Sequence, residues 1–165
     1  MLAWLLVEKL RSGHATTLGA ASGAVAGLVA ITPCAGFVGG MSPIIIGFVT
    51  GAVCYLALTL KTRFGFDDSL DVIAVHLVGG IMGALLLGLF SDTEVNSFGF
   101  NGWFMGGGSG LMVDQVVAIS ATFAFSFVIT WVVAKVLDLT IGIRVSAEDE
   151  LVGLDQSLHA ESAYQ

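Results

Sequence analysis

From Leu70 to Phe90 the chain carries only two ionisable side chains, Asp71 and His76, in a run otherwise built from Val, Ile, Leu, Ala, Gly, Met and Phe. A helix needs about 20 such residues to cross the hydrocarbon of a bilayer. The run therefore predicts a membrane span with one imidazole about 9 Å along its axis. Ionisable groups at that depth are costly in lipid and face a protein interior or a wet pathway. His76 is thus the first candidate functional residue. The acids at the head of the run, Asp67, Asp68 and Asp71, do not form a catalytic carboxylate pair on spacing alone. Asp68 fits an N-cap and Asp71 the third helical position, where carboxylates meet free N–H groups and the positive helix end.

The rest of the chain agrees with a membrane setting. Only 12% of its 165 residues are charged, 56% are hydrophobic, and the mean hydropathy is +0.92. A soluble domain carries about 25% charged residues. The composition predicts an all-α, polytopic helical membrane protein with four full transmembrane helices and a truncated N-terminal one. The net charge of -7 gathers towards the C-terminus, where five of the thirteen acids follow Arg144, and nothing here is basic enough to hold nucleic acid. Two cysteines, Cys34 and Cys54, make no disulfide framework and read as small apolar packing residues.

In chain order, Met1 to Val7 has neither the basic start nor the cleavage site of a secretory signal. It is also too short to span a bilayer and resembles the last turns of a helix. A polar link, residues 9–14, precedes a first span over Thr16 to Thr32, stopped by Pro33. A glycine-rich, uncharged loop runs from Cys34 to Pro43. The second span covers Ile44 to Leu60 and is closed by Lys61, Thr62 and Arg63. The third is Leu70 to Phe90. A connection from Ser91 to Asp114 carries Phe98, Phe100, Trp103 and Phe104 among glycines, and the fourth span covers Gln115 to Leu137. Residues 1–140 form the transmembrane region and 141–165 a tail.

With four spans alternating, Lys9, Arg11, Lys61, Arg63, Lys135 and Arg144, which are all the Lys and Arg present, fall on one membrane side. The positive-inside rule makes that side the cytoplasm, so the tail is cytoplasmic and the His76 span runs outward. Gly19, Gly23 and Gly27, Gly47 and Gly51, and Gly79 and Gly83 recur every four residues, a spacing that lets helix backbones approach closely in lipid. In the tail, Ser146 and Asp149 fit a capping box, with Gly153 placed to end that helix in a left-handed turn. The stretch from Leu154 to Tyr164 reads as polar, extended or disordered.

The chemistry is concentrated at His76. Val72, Ile73, Val75, Leu77 and Val78 offer it no partner within its own helix. A neutral imidazole keeps one N–H donor and one bare acceptor nitrogen. That pair suits a small molecule which both donates and accepts hydrogen bonds, such as ammonia, or a proton relay. His14, His76 and His159 are too scattered for a metal site, no cofactor is implied, and no nucleophile elbow marks an enzyme.

Three segments together resemble the ammonium transporter (Amt/Mep/Rh) family. They are Ala21 to Pro33, Asp67 to Gly80, and Asp138 to Val145 followed by Glu148 to Tyr164. The resemblance covers nearly the whole chain but only part of the family's fold, from the end of the seventh helix through the eleventh and the tail. It implies an inverted-repeat transporter fold, a homotrimer, and conduction of ammonium, ammonia or methylammonium through an apolar pore. By resemblance His76 is the second histidine of a twin-histidine pair and Asp71 a structural acid. Val72 and Thr32 line the pore, and Ser22 and Val25 its inner vestibule. PII-type regulators would dock at the cytoplasmic face. Two positions depart from the family pattern, Leu77 and Ala160, where glycine is common. An inverted repeat needs its other half in opposite orientation, so this chain alone is expected to conduct little or nothing. The alternative is a non-conducting membrane subunit or ammonium sensor acting through its tail.

Overall fold

The computed structural model describes residues 1–65 and 67–162. Its helices are α1 (Leu2–Ser12), α2 (Thr17–Ile31), α3 (Ser42–Phe64), α4 (Gly79–Phe90), α5 (Gly110–Thr140), α6 (Ala147–Val152) and α7 (Leu154–Ser157). A π-helical segment, Ile73–Val78, runs into α4, and a 3₁₀ turn, Trp103–Met105, lies in the connection that follows. No strand occurs among the described residues. Three helices are long and apolar enough to cross a membrane: Ser42–Phe64, Ile73–Phe90 and Gly110–Thr140. The apolar helix α2 has 15 residues, about 22 Å of rise, and leads into turns over residues 32–37.

The chain forms two compact units, Met1–Ser120 and Ala121–Gln165, with the division inside α5. In the first, α2 packs on α1, α3, the π segment and α4. Glycine makes this closeness available. A Cβ on Gly83 would overlap the backbone carbonyl of Ala30, and one on Gly23 would overlap Trp4. Gly79 faces Val29 and Cys54. Gly27 and Gly47, which share the same four-residue rhythm, face open space, so two of the three glycine runs are used only in part for packing inside this chain. Both cysteines are free and buried. Cys54 shares a cluster with Trp4, Ala26 and Val75, and the Cys34 thiol donates to the Gly83 carbonyl at 3.3 Å.

Several boundaries differ from the sequence expectation. The helix at the N-terminus continues through Lys9 and Arg11 and ends at Gly13, whose φ of 85° lets its N–H reach the Lys9 carbonyl. α3 begins at Ser42, so Pro43 lies in its first turn rather than in the loop; proline fits there because that N–H has no helical partner. The same helix runs four residues past Leu60 to Phe64. Asp114 lies inside α5, not in the connection before it. That connection is tied back on itself: Asn101 accepts from both the N–H and the hydroxyl of Thr93, each at 2.8 Å, and the Gly102 N–H donates to the Ser91 carbonyl at 2.7 Å.

In the second unit the Ser146 hydroxyl caps α6, accepting from the Asp149 N–H at 3.1 Å and donating to its carboxylate at 2.6 Å. Gly153 ends that helix with φ 102° and ψ 135°, an extended geometry open to glycine rather than the expected left-handed turn. Leu154–Ser157 then forms one helical turn where an extended or disordered chain was expected. Ala160 holds φ 53°, a left-handed conformation, although the residue is not glycine. Ala163 and Tyr164 lie outside the described residues.

Candidate functional site

The His76 segment is held at both ends. At its entry Asp68 accepts from the N–H groups of Val72 at 2.8 Å and Ile73 at 2.9 Å, which satisfies donors that the helix cannot pair itself. The bond from Ile73 holds the Asp68 carboxyl below its usual range. Partial desolvation opposes this, and the Val72 bond and the Lys61 charge add to it. Asp71 does not occupy the third helical position as expected. It precedes the helix with φ 57°, and its carboxylate pairs with the Lys61 ammonium at 2.5 Å. The helix therefore starts later than Leu70, and His76 is the fourth residue of the π segment rather than six residues into a regular α-helix.

A π turn holds one more residue than an α turn and commonly marks a functional position. Here Ala74 and Val75 point into the core, whereas Val72, His76 and Leu77 are exposed. No described residue donates to or accepts from the His76 imidazole. Leu77, at 39% exposure, lies outside the core, so a side chain larger than glycine is accommodated there without displacing the packed helices.

The sequence-predicted residues on α2 share one side of it. Ser22 is half-buried, Val25 is exposed, and Thr32, just past the helix end, is exposed with its hydroxyl donating to the Leu28 carbonyl at 2.7 Å. Ala26 and Val75 belong to one buried cluster. Their sequence neighbours Val25 and His76 thus stand at similar depth on adjacent helices. Thr32 is nearly two turns further along α2.

Two residues escaped the sequence reading. Glu8 is buried, and its carboxylate accepts from the Thr16 N–H at 3.2 Å and hydroxyl at 2.8 Å, directly over the positive N-terminus of α2. Thr16 in turn accepts from the Gly19 N–H at 2.8 Å. The signal was an acid at the end of an apolar stub, eight residues before a capping threonine. Lys61 read only as a charge closing α3, because its partner lies beyond a loop. Among the described residues no group of three or more His, Cys, Asp or Glu could hold a metal ion.

These features are those of an integral membrane protein: apolar spans packed through glycines, with one imidazole bared in a distorted turn. Residues 1–164 match the model of the Ammonium Transporter Family. The chain belongs to that family, whose members transport rather than catalyse. It is 48% identical to an ammonium transporter of Bacillus subtilis, over 98% of this chain and 40% of that protein. Ammonium transporter Amt1 of Archaeoglobus fulgidus is 43% identical over the same shares. The crystal structure of Candida albicans Mep2 superposes with a TM-score of 0.81 at 34% identity, covering 90% of this chain and 34% of that one. The chain thus spans about 40% of the length of these curated relatives.

Proposed function

We propose that this chain contributes part of an ammonium-conducting path through the cell membrane, with His76 as the polar group along it. One observation carries the reading: the His76 imidazole is exposed, with no hydrogen-bond partner among the described residues, on a segment where the apolar Val72 and Leu77 are exposed as well. Apolar walls disfavour the ion and leave neutral ammonia as the easier passenger. Ammonia donates and accepts hydrogen bonds, and a neutral imidazole can answer both at successive positions. Thr32 and Ser22 supply hydroxyls towards the two ends of the same α2 face. Val72 and Val25 set the width beside the imidazole. Asp71 is the structural acid at the entry.

The basic ends of α1 and α3 support a cytoplasmic tail and a His76 helix that runs outward. A homotrimer and a PII-type regulator at the cytoplasmic face belong to the same reading. The direct test joins the preceding part of the B. subtilis relative to this chain and expresses the chimera in cells lacking ammonium transporters. Methylammonium uptake is expected, with His76→Ala reducing it by at least about tenfold, a transition-state cost of roughly 1.4 kcal/mol. Normal, selective uptake by His76→Ala would remove His76 from the path. The alternative, a sensor acting through its tail, draws on the capped helix α6. It requires tail-dependent capture of a PII-type protein in the absence of flux.

A further inference from the structure

We propose that Lys61 is a positioning residue for His76, acting through Asp71 and the π turn between them. The functional weight of this inference rests on the reading of His76 given above. The geometry points to two fixed anchors with a mismatch in residue count. At the upper anchor Gly79 sits against Cys54 of α3 and Val29 of α2, and Gly83 presses on the Ala30 backbone. At the lower anchor Lys61 of α3 pairs with Asp71. Seven residue steps separate Cys54 from Lys61 on α3, and eight separate Gly79 from Asp71 on the facing segment. A regular α-helix over those eight steps would be about 1.5 Å longer than the seven opposite. A π turn takes up one surplus residue, and the π segment, Ile73–Val78, lies between the two anchors.

Asp71 shows the same constraint in its backbone. Its φ of 57° is a conformation that a non-glycine residue adopts at a cost. The half-buried Lys61 ion pair and the Val75 N–H, which donates to the Asp71 carbonyl at 2.9 Å, hold it there. Asp68 fixes the neighbouring N–H groups of Val72 and Ile73. Releasing the lower anchor lets the π turn open and interconvert with α-helix. Because the glycine contacts hold the upper end, the rotation falls on the residues below Gly79, His76 and Val72 among them.

The test uses the full chain in lipid nanodiscs, with amide hydrogen exchange and ¹⁵N signals of the histidine rings as readouts. Lys61→Met should speed exchange over Ile73–Val78 by at least about tenfold, as for a locally opened unit. It should shift the His76 ring signals and leave those of His14 and His159 in place. Protection over Ile81–Leu87 should be unchanged, and Lys61→Arg should restore the wild-type pattern. Asp71→Asn, which keeps a residue tolerant of positive φ, should reproduce Lys61→Met and decides the matter if that variant inserts poorly. Unchanged exchange and His76 signals would overturn the proposal. Equal loss of protection over Ile81–Leu87 would overturn it too, because Lys61 would then hold the whole bundle. None of these readouts depends on transport, so a failure of the pore reading would show in the uptake assay and leave them standing.

Discussion

Helices α2 and α5 are both apolar, yet they solve the problem of being apolar in opposite ways. α2 spends its 15 residues on three glycines and five alanines and packs against four neighbouring elements. α5 runs for 31 residues with one glycine, at its first position, and buries none of its residues. Its exposed surface is mostly Val, Phe, Ile and Trp, interrupted by the small hydroxyls of Thr122, Ser126 and Thr130 and carrying no charge between Gln115 and Ala134, which lipid accepts. Hydropathy alone scores the two alike; residue size separates them. Small residues mark where helix backbones come closest, and the bulky apolar surface of α5 is left exposed.

Substitutions can break or sharpen that contrast. The largest effect is expected at Gly83, where any side chain meets the Ala30 backbone, which cannot swing away. Gly83→Ala should cost about 1–3 kcal/mol by overpacking, read as a lower unfolding midpoint in detergent, while Val128→Leu on the exposed surface of α5 should stay within about 0.5 kcal/mol. Next comes Glu8→Ala, which removes both Thr16 contacts at the start of α2; losing hydrogen bonds to a buried carboxylate should cost about 1–3 kcal/mol, with faster amide exchange in the first turn of α2. Smaller still, and opposite in sign, Ala160→Gly should stabilise the tail turn by up to about 1 kcal/mol by removing a left-handed Cβ penalty, seen as slower exchange at Glu161, whose N–H donates to the Asp155 carbonyl.

The smallest effect is one of pH. The folded-state pKa of Asp68 lies below that of the unfolded chain. Its cap is therefore fully effective above about pH 4, near the unperturbed aspartate value, and weakens as the pH falls through the folded value. Exchange-corrected protection at Val72 and Ile73 should fall in that acid range and stay level from pH 5 to 7. Protection that declines instead on raising the pH would contradict the assignment.

What could be read from the residues follows the same division between local and non-local causes. Apolar length and glycine spacing are local, so the helices and most of their bounds were legible. So were the Ser146 cap and the role of Asp68 at the start of the His76 helix. The π turn was not. It arises from a count mismatch between two anchors on different helices, and neither Cys54–Gly79 nor Lys61–Asp71 can be paired from spacing within one segment. Asp71 was misplaced for the same reason, because one of the contacts that hold its backbone, the Lys61 ion pair, comes from another helix. Glu8 went unread because its partner, Thr16, lies across the turn that separates α1 from α2. Ala160 departs from the family pattern, and its left-handed φ of 53° could not be read from the residue itself.

In the function proposed above, the bared His76 face is one side of a path whose other side these residues do not supply. Methylammonium uptake by cells lacking ammonium transporters and expressing the 165 residues alone tests this most directly, once insertion in the membrane has been quantified. The account predicts no uptake above background from the inserted chain, in contrast to the chimera. Uptake by the chain alone that is lost with His76→Ala would contradict it, showing that these helices close a conducting path by themselves.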